Sequence, residues 1–224
     1  MVNRFDESEF DTSNPEPRCP CVILVDTSGS MAGEPIRELN GGLAELQKAL
    51  SQDELAALRV ELAIVGFGSS VQTVQDFVSP TDWLPQPLVA GGMTPMGEAI
   101  LSALDMIEAR KQVYKSHGNA YFRPWMFLIT DGVPTDSDEV WRSAVQQINE
   151  AGAKKKVSFF AVGTADADLS KLKALSGPER DPLRLSGLKF REMFQWLSSS
   201  LQSVSQSKPG DAIGLQAPKG WTEA

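Results

Sequence analysis

Residues 19–26 read Cys-Pro-Cys-Val-Ile-Leu-Val-Asp, a nearly unbroken apolar run that stops at a carboxylate. A strand with one face in water alternates apolar and polar residues. A run without alternation needs cover on both faces, as a central parallel strand has. This segment therefore asks for helices on either side of a sheet, and the chain supplies them. Ile36, Leu39, Leu43, Leu46 and Leu50 recur at steps of three and four, which predicts an amphipathic helix with Pro35 in its first turn. Val60–Phe67 and Val71–Val78 read as two further strands. Only Gly68-Ser69-Ser70 joins them, too short a link for a parallel crossover, so they form an antiparallel hairpin. A loop with proline and paired glycine covers residues 79–93. Thr94-Pro95 then opens a helix carrying Met96, Ile100, Ala103, Leu104 and Ile107. A strand over 125–130 ends at Asp131, and a helix over 138–151, a strand over 157–162, a short helix over 169–175 and a short strand over 183–185 follow. The last helix carries Phe190, Met193, Phe194, Leu197, Leu201 and Val204 as its stripe.

Strands alternating with helices imply right-handed crossovers. The predicted fold class is α/β: a doubly wound, mostly parallel central sheet with one antiparallel edge strand and helices on both faces. Residues 19–205 form one domain, residues 1–18 read as a polar, flexible lead-in, and residues 206–224 as a polar tail. Gly41 and Gly42 cost the first helix about 1 kcal/mol each against alanine, which a close approach of helix to sheet would explain.

The composition agrees: 224 residues with 42% apolar content suit one core. A net charge of −8 argues against a general nucleic-acid or anionic-membrane binder. No apolar run is long enough to cross a bilayer. The start, Met-Val-Asn-Arg-Phe-Asp-Glu-Ser-Glu, has no apolar stretch of the kind a secretory leader carries. Cys19 and Cys21 point to one face of a strand, a poor spacing for a disulfide. With His117 as the lone histidine, at a helix end, soft ligands are too few for zinc. Buried thiols in a reducing cytoplasm are the expectation.

In open α/β sheets ligands bind beyond the carboxyl ends of the strands, near a switch in strand order. Asp26 and Asp131 stand at two such ends. In Asp26-Thr27-Ser28-Gly29-Ser30, alternate positions carry short oxygen side chains, and Gly29 permits a tight turn. A hard cation such as magnesium takes about six oxygens. Two serines and two carboxylates cannot fill them, so waters and an external ligand complete the shell. Thr94 has two readings, as a further oxygen ligand or as the N-cap of the helix that Pro95 opens. Ser30 is likewise a ligand or a turn residue.

Asp26-Thr27-Ser28-Gly29-Ser30-Met31 resembles the Asp-x-Ser-x-Ser signature of von Willebrand factor A domains. Gly91-Gly92-Met93-Thr94-Pro95 is similar to the loop that delivers that family's threonine. Thr130-Asp131-Gly132-Val133-Pro134-Thr135-Asp136 resembles its strand-end aspartate segment. The resemblance covers residues 19–205 and implies a Mg2+ (or Mn2+) adhesion site made by Asp26, Ser28, Ser30, Thr94 and Asp131. Ser28 and Ser30 would bind the ion directly, and Thr94, Asp26 and Asp131 directly or through water. A protein partner would add an aspartate or glutamate. The rim loops, 27–34, 91–96 and 132–137, hold Met31, Met93 and Met96, as adaptable contact groups or as packing beneath their loops. Within the family the phrases resemble the bacterial TerY type, linked to tellurite resistance, and the YegL-like group. That implies a cytoplasmic scaffold in a stress response, working with a protein kinase and a PP2C-like phosphatase. The alternatives are a metal-assisted phosphohydrolase with Asp26 as nucleophile, and a structural domain with a vestigial site. Phosphatases of the haloacid dehalogenase type want a second acid where this chain has Ser28, and no P-loop or serine triad is present.

Overall fold

The computed structural model describes residues 10–164, 167–178, 180–211 and 217–222. Six strands form one sheet in the order β3-β2-β1-β4-β5-β6. They are β1 (Cys19–Asp26), β2 (Val60–Phe67), β3 (Val71–Val78), β4 (Trp125–Thr130), β5 (Ser158–Gly163) and β6 (Leu183–Arg184). All neighbours run parallel except β2 and β3, the predicted antiparallel edge hairpin. The helices are α1 (Glu34–Ser51), α2 (Glu54–Arg59), α3 (Met96–Ser116), α4 (Asp138–Ala153), α5 (Leu169–Ser176) and α6 (Phe190–Ser205).

The unbroken apolar run has the predicted cause. Every residue of β1 is buried, and its side chains alternate between two cores. Ile23 and Val25 join the layer under α1 and α6, and Val22 and Leu24 the layer under α3, α4 and α5. The chain winds outward from β1 to β2 and β3, then returns through α3 to β4 on the other side of β1. The reversal point therefore lies between β1 and β4, with Asp26 and Asp131 at its upper lip.

Gly42 is explained by another helix, not by the sheet. A Cβ there would lie 2.4 Å from Cδ2 of Phe194, so α1 and α6 touch backbone to ring. The 79–93 loop has no regular structure but is anchored along α1. Trp83 and Leu88 are buried beneath it, and the Asn40 amide both donates to and accepts from the Leu88 backbone, at 3.0 and 2.8 Å.

Two boundaries need correction. Residues 10–18 are no loose lead-in. Phe10 is buried between the guanidinium groups of Arg18 and Arg110, 5.2 and 5.1 Å from its ring centroid. Arg18 is itself buried and donates to the carbonyls of Asp11, Asn14, Glu16 and Leu58. It also pairs with buried Glu61 at 3.3 Å. Nor is the tail wholly loose. Trp221 is buried on Trp196, with ring centroids 5.5 Å apart, and its carbonyl accepts from Ser186. In both segments one large aromatic group supplies the apolar area that the surrounding polar residues lack. Residues 1–9 and 212–216 lie outside the described residues.

Cys19 and Cys21 are buried and free. Burial pushes the Cys19 thiol up to about 12, and Cys21 rises for the same reason. Since the thiolate is the reactive form, a disulfide reagent should label neither cysteine in the native protein and both after denaturation. A disulfide, or fast native labelling, would contradict this arrangement. Among the described residues no helix is long and apolar enough to cross a membrane.

Candidate metal centre

Asp26 closes β1 with its side chain fully buried. Its Oδ1 accepts the backbone N–H of Ser28 at 2.8 Å, which curls the chain into the turn that presents the serines. Its Oδ2 accepts the hydroxyl of Thr130, the last residue of the neighbouring strand β4. Thr130 Oγ1 in turn accepts the N–H of Gly132 at 3.0 Å, so one side chain holds Asp26 and shapes the turn carrying Asp131. Ser30 donates to Asp131 Oδ1 at 2.8 Å, and the Ser28 and Ser30 hydroxyls are 3.0 Å apart. A Cβ on Gly132 would stand 3.1 Å from Thr94 Oγ1 and 3.5 Å from Asp26 Oδ2, so those two oxygens face a common point. Asp26, Ser28, Ser30, Thr94 and Asp131 are thus brought together. Asp26, Ser28 and Thr94 are buried and form the floor, Asp131 is half-buried, and Ser30 is exposed at the mouth.

Backbone hydrogen bonds lock the loops. Thr27 N donates to Phe67 O, Gly91 N to Thr27 O at 2.7 Å, and Gly29 N to Gly92 O at 3.1 Å. Gly92 has φ +87°, and a Cβ on it would strike the Ser69 backbone at 2.3 Å, so only glycine brings the loop this close. The Thr94 backbone is clasped by Thr135 in both directions, its N–H to Thr135 Oγ1 and its carbonyl to Thr135 N–H, each at 3.0 Å.

The capping reading of Thr94 fails. Pro95 occupies the N-cap position of α3, and that position lends no side-chain cap. Asp136 does the work from the next loop, accepting Gly97 N–H at 2.8 Å and Glu98 N–H at 3.0 Å. Thr94 is a buried residue whose hydroxyl makes no hydrogen bond among the described residues and is not sealed from the mouth of the site. Thr130, Thr135 and Asp136 are the positioning residues that spacing arguments did not single out. Thr130 and Thr135 could be suspected only from the Thr-Asp-Gly-x-Pro-Thr-Asp phrase. Asp136 caps a helix that begins some forty residues earlier in the chain, beyond any local capping rule.

Burial raises the Asp26 carboxyl above the usual carboxylate range; hydrogen bonds from Ser28 and Thr130 oppose this, and the Asp131 charge adds to it. Two carboxylates and three hydroxyls, all oxygen, with one acid desolvated beside another, make a donor set that suits a hard divalent cation. The Thr94 hydroxyl, free of other hydrogen bonds among the described residues and 3.1 Å from where a Gly132 Cβ would lie, suits it as well.

The sequence model of the von Willebrand factor type A domain matches residues 21–192. The chain belongs to the von Willebrand factor type A family. A von Willebrand factor A domain-containing protein of Dictyostelium discoideum is 23% identical over 150 residues, covering 66% of this chain and 16% of its own length. The chain thus spans about a sixth of that relative. Among solved structures, the vWF domain of the type V pili tip protein Mfa5 from Porphyromonas gingivalis superposes with a TM-score of 0.65 at 12% identity, covering 88% of this chain and 99% of that one. The pilus adhesin SpaC from Lactobacillus rhamnosus GG gives 0.67 at 14% identity, over 85% and 31%. These likenesses carry the α/β fold.

In this A domain the rim methionines divide. Met31 and Met96 are fully buried beneath their loops, while Met93 is 64% exposed. Asp136 offers a test of how the loops are held. Asp136→Ala should cost about 1–2 kcal/mol in thermal unfolding through loss of its cap, and should weaken divalent-ion binding by roughly 10–100-fold by loosening Thr94. Unchanged ion affinity would uncouple Asp136 from the site.

Proposed function

We propose that the chain is a metal-dependent protein-recognition module. Asp26, Ser28, Ser30, Thr94 and Asp131 would hold Mg2+ (or Mn2+), in the first shell or through water. When bound, the ion supplies a Lewis-acidic position open to an aspartate or glutamate of a partner protein. The observation that carries this reading is the convergence of five oxygen side chains from three loops at the strand-order reversal, with Ser30 and Asp131 at the open mouth. Its remaining residues have holding roles: Thr130 orients Asp26, Thr135 holds the Thr94 backbone, and Asp136 caps the helix that follows Thr94. Asp26 is fully buried with both oxygens engaged. That supports a positioning and charge role over attack on a phosphoryl group, and the phosphohydrolase alternative gains no observation of its own.

The finer proposal is a cytoplasmic TerY-like scaffold in a stress response, with a protein kinase and a PP2C-like phosphatase as partners. It rests on the three motif phrases alone. Calorimetry tests the core claim: one Mg2+ or Mn2+ site is expected, lost in Asp26→Ala, and unaltered binding in that variant would remove it. Partner capture from native lysate should collapse in chelator. Equal capture without metal would move the interface elsewhere.

A further inference from the structure

Six large hydrophobic side chains are exposed among the described residues: Leu58, Val74, Leu84, Val89, Met93 and Val133. Four of them gather at the metal end of the sheet. Met93 immediately precedes Thr94, and Val133 lies two residues beyond Asp131. Val74 and Val89 both line a groove of about 380 Å³ between the edge hairpin and the 87–91 loop, with Thr27, Gly66 and Ser69 among its other lining residues. Gly66 leaves the groove its depth. A Cβ there would already sit 3.3 Å from Val74 Cγ2 and 3.6 Å from Thr27 Cγ2. The groove and the metal centre share a wall. Thr27 lies between Asp26 and Ser28, and its carbonyl holds the Gly91 N–H that closes the groove. Val89 is 84% exposed and lines the groove with Val74, so the two apolar side chains are open to a ligand from the solvent side.

We infer that this groove is a second recognition subsite, taking an aliphatic side chain of the same partner segment whose carboxylate reaches the metal. The inference rests on the metal-dependent reading above and adds to it a sequence requirement on the partner. An extended segment advances about 3.3 Å per residue. With only Thr27 separating the two sites, the aliphatic residue belongs one to three positions from the acid. An acid alone would bind through a single bond in competition with water. An acid paired with a leucine, isoleucine or valine adds burial against the apolar part of the lining, Val74, Leu88 and Val89, at about 25 cal/mol per Å². The groove walls carry no formal charge, and their apolar part comes from Val74 and residues 87–90, so an uncharged side chain of fitting shape suits the groove.

The probe is a displayed heptapeptide library with glutamate fixed at the centre and the other six positions random. It is selected on the full chain in Mg2+ and eluted with chelator. Enrichment of aliphatic residues at one offset within three positions of the glutamate is expected. That preference should fall at least tenfold on Val89→Asp, whose exposed position leaves the fold intact, and fall on Gly66→Ala, whose added methyl narrows the groove floor against Val74. Both variants should keep the glutamate and chelator dependence. Metal-dependent peptides with no aliphatic preference, or a preference unmoved by both variants, would overturn the subsite while leaving the metal reading in place. No chelator-dependent enrichment at all would overturn the metal-dependent reading and the subsite with it.

Discussion

Replacing Asp26 by asparagine is expected to abolish the magnesium response while leaving the metal-free protein at least as stable as the wild type. The two effects have one origin. Asp26 is fully buried, and its ionised form is disfavoured there by desolvation and by the Asp131 charge. Asparagine keeps the shape and can still accept from Ser28 N–H through its oxygen. Its amide can donate to Thr130 Oγ1, which already accepts from Gly132 N–H, so the pair stays in contact while the Thr130 hydroxyl proton gives up its carboxylate acceptor. Removing a desolvated charge should offset that loss, since burial of the charge costs of order 1–3 kcal/mol. The metal-bound state moves the other way. At an ion concentration about one hundred times its dissociation constant, binding stabilises the wild type by about 2.7 kcal/mol, or roughly 5–10 °C in melting temperature for a domain of this size. The variant should show no such shift. Melting curves of both proteins, with magnesium and with chelator, give all four values. If the metal-free variant melted well below the metal-free wild type, Asp26 would be a structural residue first, with its hydrogen bonds outweighing the burial of its charge.

Four of the five oxygen residues of the site are legible in the sequence, and the residues that support them are not. Asp26, Ser28 and Ser30 declare themselves by spacing on one loop, and Asp131 by its place after an apolar strand. These are local patterns, and the sheet topology brings them together. Thr94 was ambiguous because a threonine before a proline-led helix satisfies the capping rule as well as the ligand reading. The ambiguity resolves only when Asp136 is seen to occupy the helix N-terminus from another loop, a contact that no local window contains. Helix α2 escaped notice for a related reason. It has six residues with one fully buried, Ala56, and depends on the Asp53 cap more than on an apolar stripe. The glycine pair in α1 signalled close approach, but the partner surface was Phe194 of α6. Pattern predicts that a surface is covered, and the tertiary fold decides by what.

The ends of the domain carry the second large expectation. A chain cut after residue 205, where the composition turns polar, should be markedly less stable than one that keeps residues 217–222. Trp221 is 1% exposed and packs on Trp196 beside the aromatic row of Phe160 and Phe127. Its backbone carbonyl accepts from Ser186, Gly220 accepts from Lys189 Nζ, and Thr222 bridges Leu185. The tail thus closes over the segment linking β6 to α6. Trp221→Ala opens a large cavity in that cover, and truncations of this size cost about 3–5 kcal/mol, roughly 6–20 °C in melting temperature. The indole nitrogen, however, is buried without a hydrogen-bond partner among the described residues, an arrangement that costs about 1–3 kcal/mol. Trp221→Phe removes that penalty while keeping most of the ring, so its net change should be within about 1.5 kcal/mol, the range of swaps that roughly conserve volume. Calorimetric unfolding of the two variants and of the truncated chain should therefore group the alanine variant with the truncation and the phenylalanine variant with the wild type. Equal melting of all four would mean that the tail rests on the domain without supporting it, and would restore the boundary at residue 205.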